Sequence, residues 1–316
     1  MTGTAFEMIA AELEAGQVVV IDGGTGTELE RRGAEMHSDV WCAMATLSSQ
    51  EMLRGVHEDY IRAGSRIITT NTFSAGLDML QPAGLGDRFE SIIRIASEVA
   101  FEARDRMNAN KTVAIAGSMS HQMPLPPGTD NRDPDKLPPV ETSAQNYQRM
   151  ANYLAEQGVD FIVLEMMSDP TYANLALAAA KSTGLPVWLG YSCRRSAAGA
   201  PVSWTLANVG VDELVSQLRP NGVQVAGIMH TDVSLISTCV KAIRNQFSGP
   251  ISAYPDTGHF EMPSWNWSDS IEPTVLAEQA LAWIDDGAQI LGGCCGTGVE
   301  HIEALANAVS RRSARH

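Results

Sequence analysis

Two adjacent thiols, Cys294 and Cys295, sit among Gly292, Gly293 and Gly296, directly after the apolar run Ala288-Gln289-Ile290-Leu291. Soft ligands at a strand end, with backbone crowded around them because glycine tolerates close approach and positive φ, form the pattern of a metal thiolate site. Free cysteines are also among the most buried small side chains, so the pair taken alone is more often packing. What else in the chain can reach the pair decides between these readings.

Composition narrows the field. The 316-residue chain has 44% hydrophobic residues and a formal net charge of −15. That charge argues against nucleic acid and anionic membranes as partners and favours a cationic small molecule over an anionic one. No stretch approaches the roughly eighteen apolar residues of a membrane span, and Met1-Thr2-Gly3-Thr4 lacks the basic and apolar regions of a signal peptide, so the cytoplasm is the expected compartment. Five cysteines are too few for a disulfide framework at this length. They fit a reducing compartment in which thiols stay free as ligands or nucleophiles.

The elements that must position the thiols are legible as apolar, β-branched runs of strand length. They are Val18–Ile21, Arg66–Thr70, Thr112–Ala116, Phe161–Leu164, Val187–Tyr191, Val223–Ile228, Ile251–Tyr254 and Gln289–Leu291. Near-continuous apolarity marks parallel strands buried on both faces. Helix-period segments alternate with them: 48–63, 89–109, 143–157, 172–182, 211–218, 234–245, 273–285 and 301–310. Eight such alternations predict a single α/β domain over 1–316 folded as a (β/α)8 TIM barrel. Gly64, Gly158, Gly184 and Gly287 fall where helices must end before the next strand. The Pro-rich stretch Ser120–Val140 follows the third strand and reads as a lid or rim loop.

In such a barrel the segments after the strands share one face. They are Asp22-Gly23-Gly24-Thr25, Asn71-Thr72-Phe73 after Thr70, Gly117-Ser118, Glu165-Met166-Met167, Ser192-Cys193-Arg194, Met229-His230-Thr231-Asp232, Pro255-Asp256-Thr257-Gly258 and the thiol pair. The convergence shifts Cys294 and Cys295 toward metal binding. Two thiolates and the His230 imidazole supply three protein ligands, and sulfur ligands select zinc over magnesium or calcium. A thiol substrate at the open position would lose its proton at neutral pH and stay nucleophilic. Cys42 and Cys239 fall in or near helices and read as packing.

At these motifs the chain resembles the homocysteine S-methyltransferase family. These are zinc-dependent barrels that include betaine-homocysteine and S-methylmethionine-homocysteine methyltransferases and the homocysteine module of cobalamin-dependent methionine synthase. The resemblance runs from Asp22-Gly23-Gly24-Thr25-Gly26-Thr27-Glu28-Leu29 through Thr69-Thr70-Asn71-Thr72-Phe73, Asp160–Glu165 and Tyr254-Pro255-Asp256-Thr257-Gly258 to Gly292-Gly293-Cys294-Cys295-Gly296-Thr297. It implies Cys294 and Cys295 as two of three Zn2+ ligands, and Glu165 as the carboxylate that holds the homocysteine amino group. The backbone around Gly23 and Gly24 would receive the amino acid, with Asp22, Thr25, Thr70 and Asn71 in the same substrate-binding set.

One departure stands out. The family's third ligand is a cysteine ending the sixth strand in a Gly-Val/Ile-Asn-Cys motif, and this chain reads Gly227-Ile228-Met229-His230. Histidine is a competent zinc ligand, so the expected set is Cys2His, with a centre less negative by one unit. Cys193 is the less favoured substitute ligand. Met166 also stands where the family usually has threonine.

Methyl leaves most readily from an onium centre, and aromatic faces bind such cations. Trp265 and Trp267, with Trp204 and the carboxylates Glu261, Asp269 and Glu272, make up the expected donor cage; packing of the rim loops is the alternative use of these tryptophans. With no cobalamin or folate domain legible in these 316 residues, those groups are not the expected donors. The expected activity is zinc-dependent transfer of methyl from a sulfonium or quaternary ammonium donor to the thiol of homocysteine, giving methionine, with both partners small molecules and a homo-oligomer compatible with the sequence. Transfer to another thiol, demethylation of an onium compound, and non-catalytic binding of metal or amino acid are the alternatives.

Overall fold

The computed structural model describes residues 3–261 and 264–314, except the side chain of Glu261. Eight parallel strands form the barrel: β1 (Val19–Val20), β2 (Ile67–Thr69), β3 (Ala114–Ser120), β4 (Phe161–Met167), β5 (Val187–Arg195), β6 (Val225–Asp232), β7 (Ile251–Asp256) and β8 (Ala288–Leu291). They are hydrogen-bonded in the order β1-β8-β7-β6-β5-β4-β3-β2, and the parallel bridge Ile21–Ile67 closes the ring. The expected (β/α)8 barrel is therefore the observed one.

Side chains along each strand alternate between two apolar layers, as the two-residue period of a strand requires. Val19, Ala114, Ala116, Phe161, Trp188, Val225 and Ile290 fill the lumen. Val20, Ile115, Ile162, Leu189, Ala226 and Leu291 face the surrounding helices. Small and large residues share the lumen layer, where Phe161 and Trp188 meet with ring centroids 4.4 Å apart. This filled lumen is a packed core and not a channel.

The sequence reading missed the helix Ala5–Glu14, which closes the bottom of the barrel with Ala5, Ile9 and Leu13. Its fully buried residues fall once per turn, a narrow stripe that fits packing on a barrel end. Its start is nonetheless written in the sequence, since Thr4 and Glu7 form a reciprocal capping box. Gly64, Gly158, Gly184 and Gly287 all take positive φ at helix ends, as expected.

Three irregular pieces build up the rim. Residues 121–139 run without regular structure apart from a 3-10 turn at Pro134–Lys136. Pro201–Ser203 pairs antiparallel with the end of β5. His259–Glu261 and Ser264–Asn266 pair as a two-stranded ribbon beyond β7. Among the described residues, no helix is long and apolar enough to cross a membrane.

Candidate metal centre and substrate cleft

His230, Asp256, Cys294 and Cys295 converge where β6, β7 and β8 end, and their ligand atoms all lie within 4.8 Å of one another. The β6–β7 ladder shifts register between Met229 and Asp232, and within that irregularity His230 takes φ 44°. A bulge of this kind re-aims a side chain, and a left-handed non-glycine residue costs about 1 kcal/mol or more, so surrounding structure must impose it. The β4–β5 ladder breaks in the same way between Leu164 and Met167, around Glu165 and Met166, whose φ is 60°. The two distortions touch, because the Met166 N–H meets the Met229 sulfur at 3.3 Å.

The thiol loop is tied down on every side. Cys294 N–H donates to Pro255 O at 2.8 Å, Cys295 N–H to Asp256 Oδ1 at 3.1 Å, and Gly296 N–H to the Thr27 hydroxyl at 3.1 Å. Gly296 has φ 78°, and a Cβ there would sit 1.7 Å from the Thr257 carbonyl oxygen, so only glycine fits.

The separations suit one ion. His230 Nδ1 lies 2.9 Å from Asp256 Oδ2 and 3.8 Å from Cys294 Sγ, and the two sulfurs are 4.0 Å apart. Tetrahedral edges at zinc-like bond lengths would be about 3.3, 3.6 and 3.8 Å for N–O, N–S and S–S pairs. Each observed edge differs from these by only a few tenths of an ångström. The same proximity shifts both Cys294 and His230. The Cys294 thiol is pushed well above the usual range by its hydrogen bond with Cys295 and by burial. Burial would keep His230 neutral, but the Asp256 charge and hydrogen bond, with Cys294, outweigh it and raise the imidazole well above its ordinary value.

Beside this cluster a small cavity of about 50 Å³ is lined by Gly23, Gly24, Thr25, Thr70, Asn71 and Glu165 together with both thiols and His230. The expected acceptor-binding residues are thus brought together, with one exception. Asp22 does not line the cavity; it lies beneath, accepting bonds from Thr69 N–H at 2.6 Å, Thr69 Oγ1 at 2.9 Å and Tyr254 OH at 3.3 Å. Gly24 must be glycine because a Cβ would fall 2.5 Å from the Cys294 carbonyl oxygen. The helix Thr25–Arg31 starts at the cavity wall, and its first N–H groups have no partner within the helix. Glu165 accepts from the Ser118 hydroxyl. Burial raises the Glu165 carboxyl to about 7 against the Ser118 hydrogen bond, and burial likewise raises Asp22 to about 7 against its Thr69 and Tyr254 bonds.

Above the cluster a second cavity of about 260 Å³ carries an aromatic lining of Trp41, Phe73, Trp204, Phe260 and Trp265. The Trp204 ring lies 4.6 Å from the His230 ring. Trp265 and Trp204 are therefore where the sequence placed them, but Trp267 is not: it is 37% exposed and lines neither this cavity nor its neighbour. In the ribbon beyond β7, Trp265 pairs with Phe260, and the exposed connection that follows carries Trp267 away from the rim. Asp269 lines a third, polar cavity of about 900 Å³ that shares Trp204, His230 and Trp265 with the aromatic one. Glu272 instead begins the helix Pro273–Asp285, and the Glu261 side chain lies outside the described residues. Trp41 and Phe260 escaped the sequence reading, which named Phe73 only as a rim residue, because single aromatics carry no spacing signal.

The proline-rich stretch does form rim, bringing Met123, Leu125 and Arg132 to the aromatic cavity. Arg132 fixes it there, bonding Asp169 at 2.7 Å and His121 Nδ1 at 3.2 Å and stacking over Tyr172. Cys193 lies outside the cluster. It is fully buried in the outer layer with Cys239, its N–H bonded to Thr231, away from the four-residue cluster. Asp256 is the cluster member the sequence reading named only as a rim residue; its pairing with His230 depends on the β6–β7 register.

Comparisons with known proteins agree with this geometry. Homocysteine S-methyltransferase 4 of Zea mays is 28% identical, covering 94% of this chain and 90% of its own length. Selenocysteine Se-methyltransferase of Brassica oleracea var. italica is 28% identical over 98% and 94% of the two chains. The metallated form of the homocysteine methyltransferase MmuM from Escherichia coli has the same fold, with a TM-score of 0.73 at 22% identity over 94% of this chain and 98% of that one. Residues 19–309 match the family model described as homocysteine S-methyltransferase, and the chain belongs to that family.

Proposed function

We propose that the protein moves a methyl group from a small sulfonium or quaternary ammonium donor to the thiol of homocysteine, with Zn2+ held by His230, Cys294 and Cys295. The observation that carries this reading is the meeting of three environments at His230: thiols and a carboxylate for a metal, a carboxylate-floored pocket for an amino acid, and an aromatic cavity for a cation. When bound, zinc supplies a Lewis acid that keeps a substrate thiol deprotonated at neutral pH.

The chain's own residues do the rest. Glu165 faces the acceptor pocket as the counter-charge for the ammonium group, and Ser118 holds its carboxylate in place. The backbone at Gly23, Gly24, Thr25 and Gly26 lines the pocket where the acceptor's carboxylate would sit. The narrow pocket places the acceptor sulfur at the thiol cluster, while Trp204 and Trp265 place the onium methyl on the other side. A carbon–sulfur bond forms as the onium–carbon bond breaks, and the donor leaves neutral. No protein general base is needed.

Two of the relatives are named for selenocysteine, so a selenol is the second acceptor to consider. Zinc-loaded protein incubated with S-methylmethionine or a betaine and a panel of homocysteine, cysteine and selenocysteine tests the proposal. Methionine formation that depends on zinc and is lost in His230→Ala is expected. Turnover undiminished by metal removal would contradict it.

A further inference from the structure

Met166 at the end of β4 and His230 at the end of β6 hold φ angles of 60° and 44°, and such a conformation in a non-glycine residue must be imposed by its surroundings. β5 runs between the two strands, so no ladder of hydrogen bonds joins them. One side chain does. Met229 pairs with Ser192 of β5, and its thioether crosses that strand to accept the Met166 N–H at 3.3 Å. Gly190 makes the crossing possible, since a Cβ there would lie 2.6 Å from the Met229 sulfur and 3.0 Å from its Cγ.

The contact answers a need on each side. The register break between Leu164 and Met167 takes the Met166 N–H out of the β4–β5 ladder, and a backbone N–H removed from water requires another partner. Sulfur is a weak acceptor, but an unbranched methionine has the reach to deliver it. On the other strand the Met229 carbonyl oxygen accepts from the Ser192 hydroxyl at 2.9 Å and the Thr231 hydroxyl at 2.7 Å, so the base of the side chain is itself fixed. The thioether is packed in the lumen layer, and the cavity it lines with Glu165 has a volume of only about 20 Å³.

We propose that Met229 is a positioning residue: its thioether is a strut across β5 that sets the end of β4 relative to the end of β6. Glu165 immediately precedes the residue whose N–H is held, and His230 immediately follows the residue whose sulfur holds it. The strut therefore sets the separation between the carboxylate that takes the acceptor's ammonium group and the metal site that takes its sulfur. This inference rests on the roles proposed above for Glu165 and His230. An acceptor anchored at both ends needs that separation to be correct, whereas a simple thiol, anchored only at sulfur, does not.

Met229→Leu keeps the size of the side chain and removes the acceptor. Exchange of the Met166 amide, followed by NMR, should quicken by about 10-fold or more in the variant. The amides of Ile162 and Ala226, which bond Pro186 O and Pro250 O nearer the start of the same two strands, should keep their protection. Homocysteine binding to the zinc-loaded variant, measured by calorimetry, should weaken by about 5- to 20-fold, the scale of a coupling between neighbouring groups. Binding of 2-mercaptoethanol, which has no ammonium group, should change by less than about twofold, because only the Glu165 end of the site has shifted. Gly190→Ala leaves Met229 in place but puts a methyl where the sulfur passes, and it should reproduce both effects.

Unchanged Met166 exchange in Met229→Leu, equal weakening of the two thiols, or loss of protection extending to Ile162 and Ala226 would overturn the inference; the last two results would make Met229 core packing and nothing more. A wild type that binds neither zinc nor homocysteine would overturn the reading of the site, and the coupling with it. Met166 exchange would still report whether the strut forms, so the two failures are distinguishable.

Discussion

The two halves of the cleft are built by different means. The metal and acceptor half stands on strand ends: Glu165 at the end of β4, His230 at the end of β6, Asp256 at the end of β7 and the thiols just past β8. Each is buried and fastened to a neighbouring strand or loop. The donor half stands on inserted segments, with Met123 and Arg132 from residues 121–139 and Phe260 and Trp265 from the ribbon beyond β7. Strand ends buried and fastened by hydrogen bonds to their neighbours can hold ligand atoms to a few tenths of an ångström, which metal chemistry demands. Loops presenting aromatic faces suffice for a diffuse cation, whose attraction to a ring tolerates a range of positions. On the proposed reading, chemistry falls on the rigid half and donor choice on the adaptable half.

This contrast can be tested by perturbing each half in turn. Cys295→Ser, in the rigid half, should lose the metal and lower turnover by about 10³-fold, the several kcal/mol a Lewis-acid ion supplies. Glu165→Gln should raise the KM for homocysteine by about 10- to 100-fold, because a charged hydrogen bond contributes about 1.5–3 kcal/mol. The same variant should leave a thiol lacking the amino group almost unaffected. In the adaptable half, Trp265→Ala should raise the donor KM by about 5- to 30-fold for a desolvated cation–π contact of about 1–2 kcal/mol. Trp267→Ala should change it by less than about twofold, since exposed aromatics contribute little. Equal effects of the two tryptophan changes would erase the distinction the structure draws between them.

The smallest effect concerns stability. The Asp22 and Glu165 carboxyls are raised from ordinary values of 3.8 and 4.5 to about 7. A raised carboxyl contributes stability that is fully present below its unfolded value and is lost as pH rises through its folded one. Substrate-free protein should therefore lose thermal stability between about pH 4 and pH 7, and Glu165→Gln should flatten that slope. Homocysteine should oppose the loss, because its ammonium group favours the ionised carboxylate. A melting temperature rising across this window in the wild type would contradict the buried acidic floor.

How much of this was legible in the sequence follows the same division. The barrel was legible because parallel strands buried on both faces read as apolar runs, and the fold then brings every strand end to one rim. Glu165, His230, Cys294 and Cys295 could therefore be placed before any coordinates. The role of Asp256 could not, because it depends on a register shift between β6 and β7 that no local pattern encodes. Trp267 was misplaced for a related reason. Two tryptophans two residues apart point the same way only in a regular strand, and the ribbon strand ends at Asn266, between them. Cys193 looked available because it follows the fifth barrel run, yet β5 extends to Arg195, so that position keeps its strand alternation and faces Cys239 in the outer layer.

The central claim is that these strand ends hold one metal ion that a substrate thiol joins. Its most direct test is the metal content of protein purified anaerobically without chelator, wild type beside His230→Ala. About one zinc per chain in the wild type, retained on addition of homocysteine and lost in the variant, is the predicted result. Full zinc retention in His230→Ala, or a wild type free of metal, would contradict it.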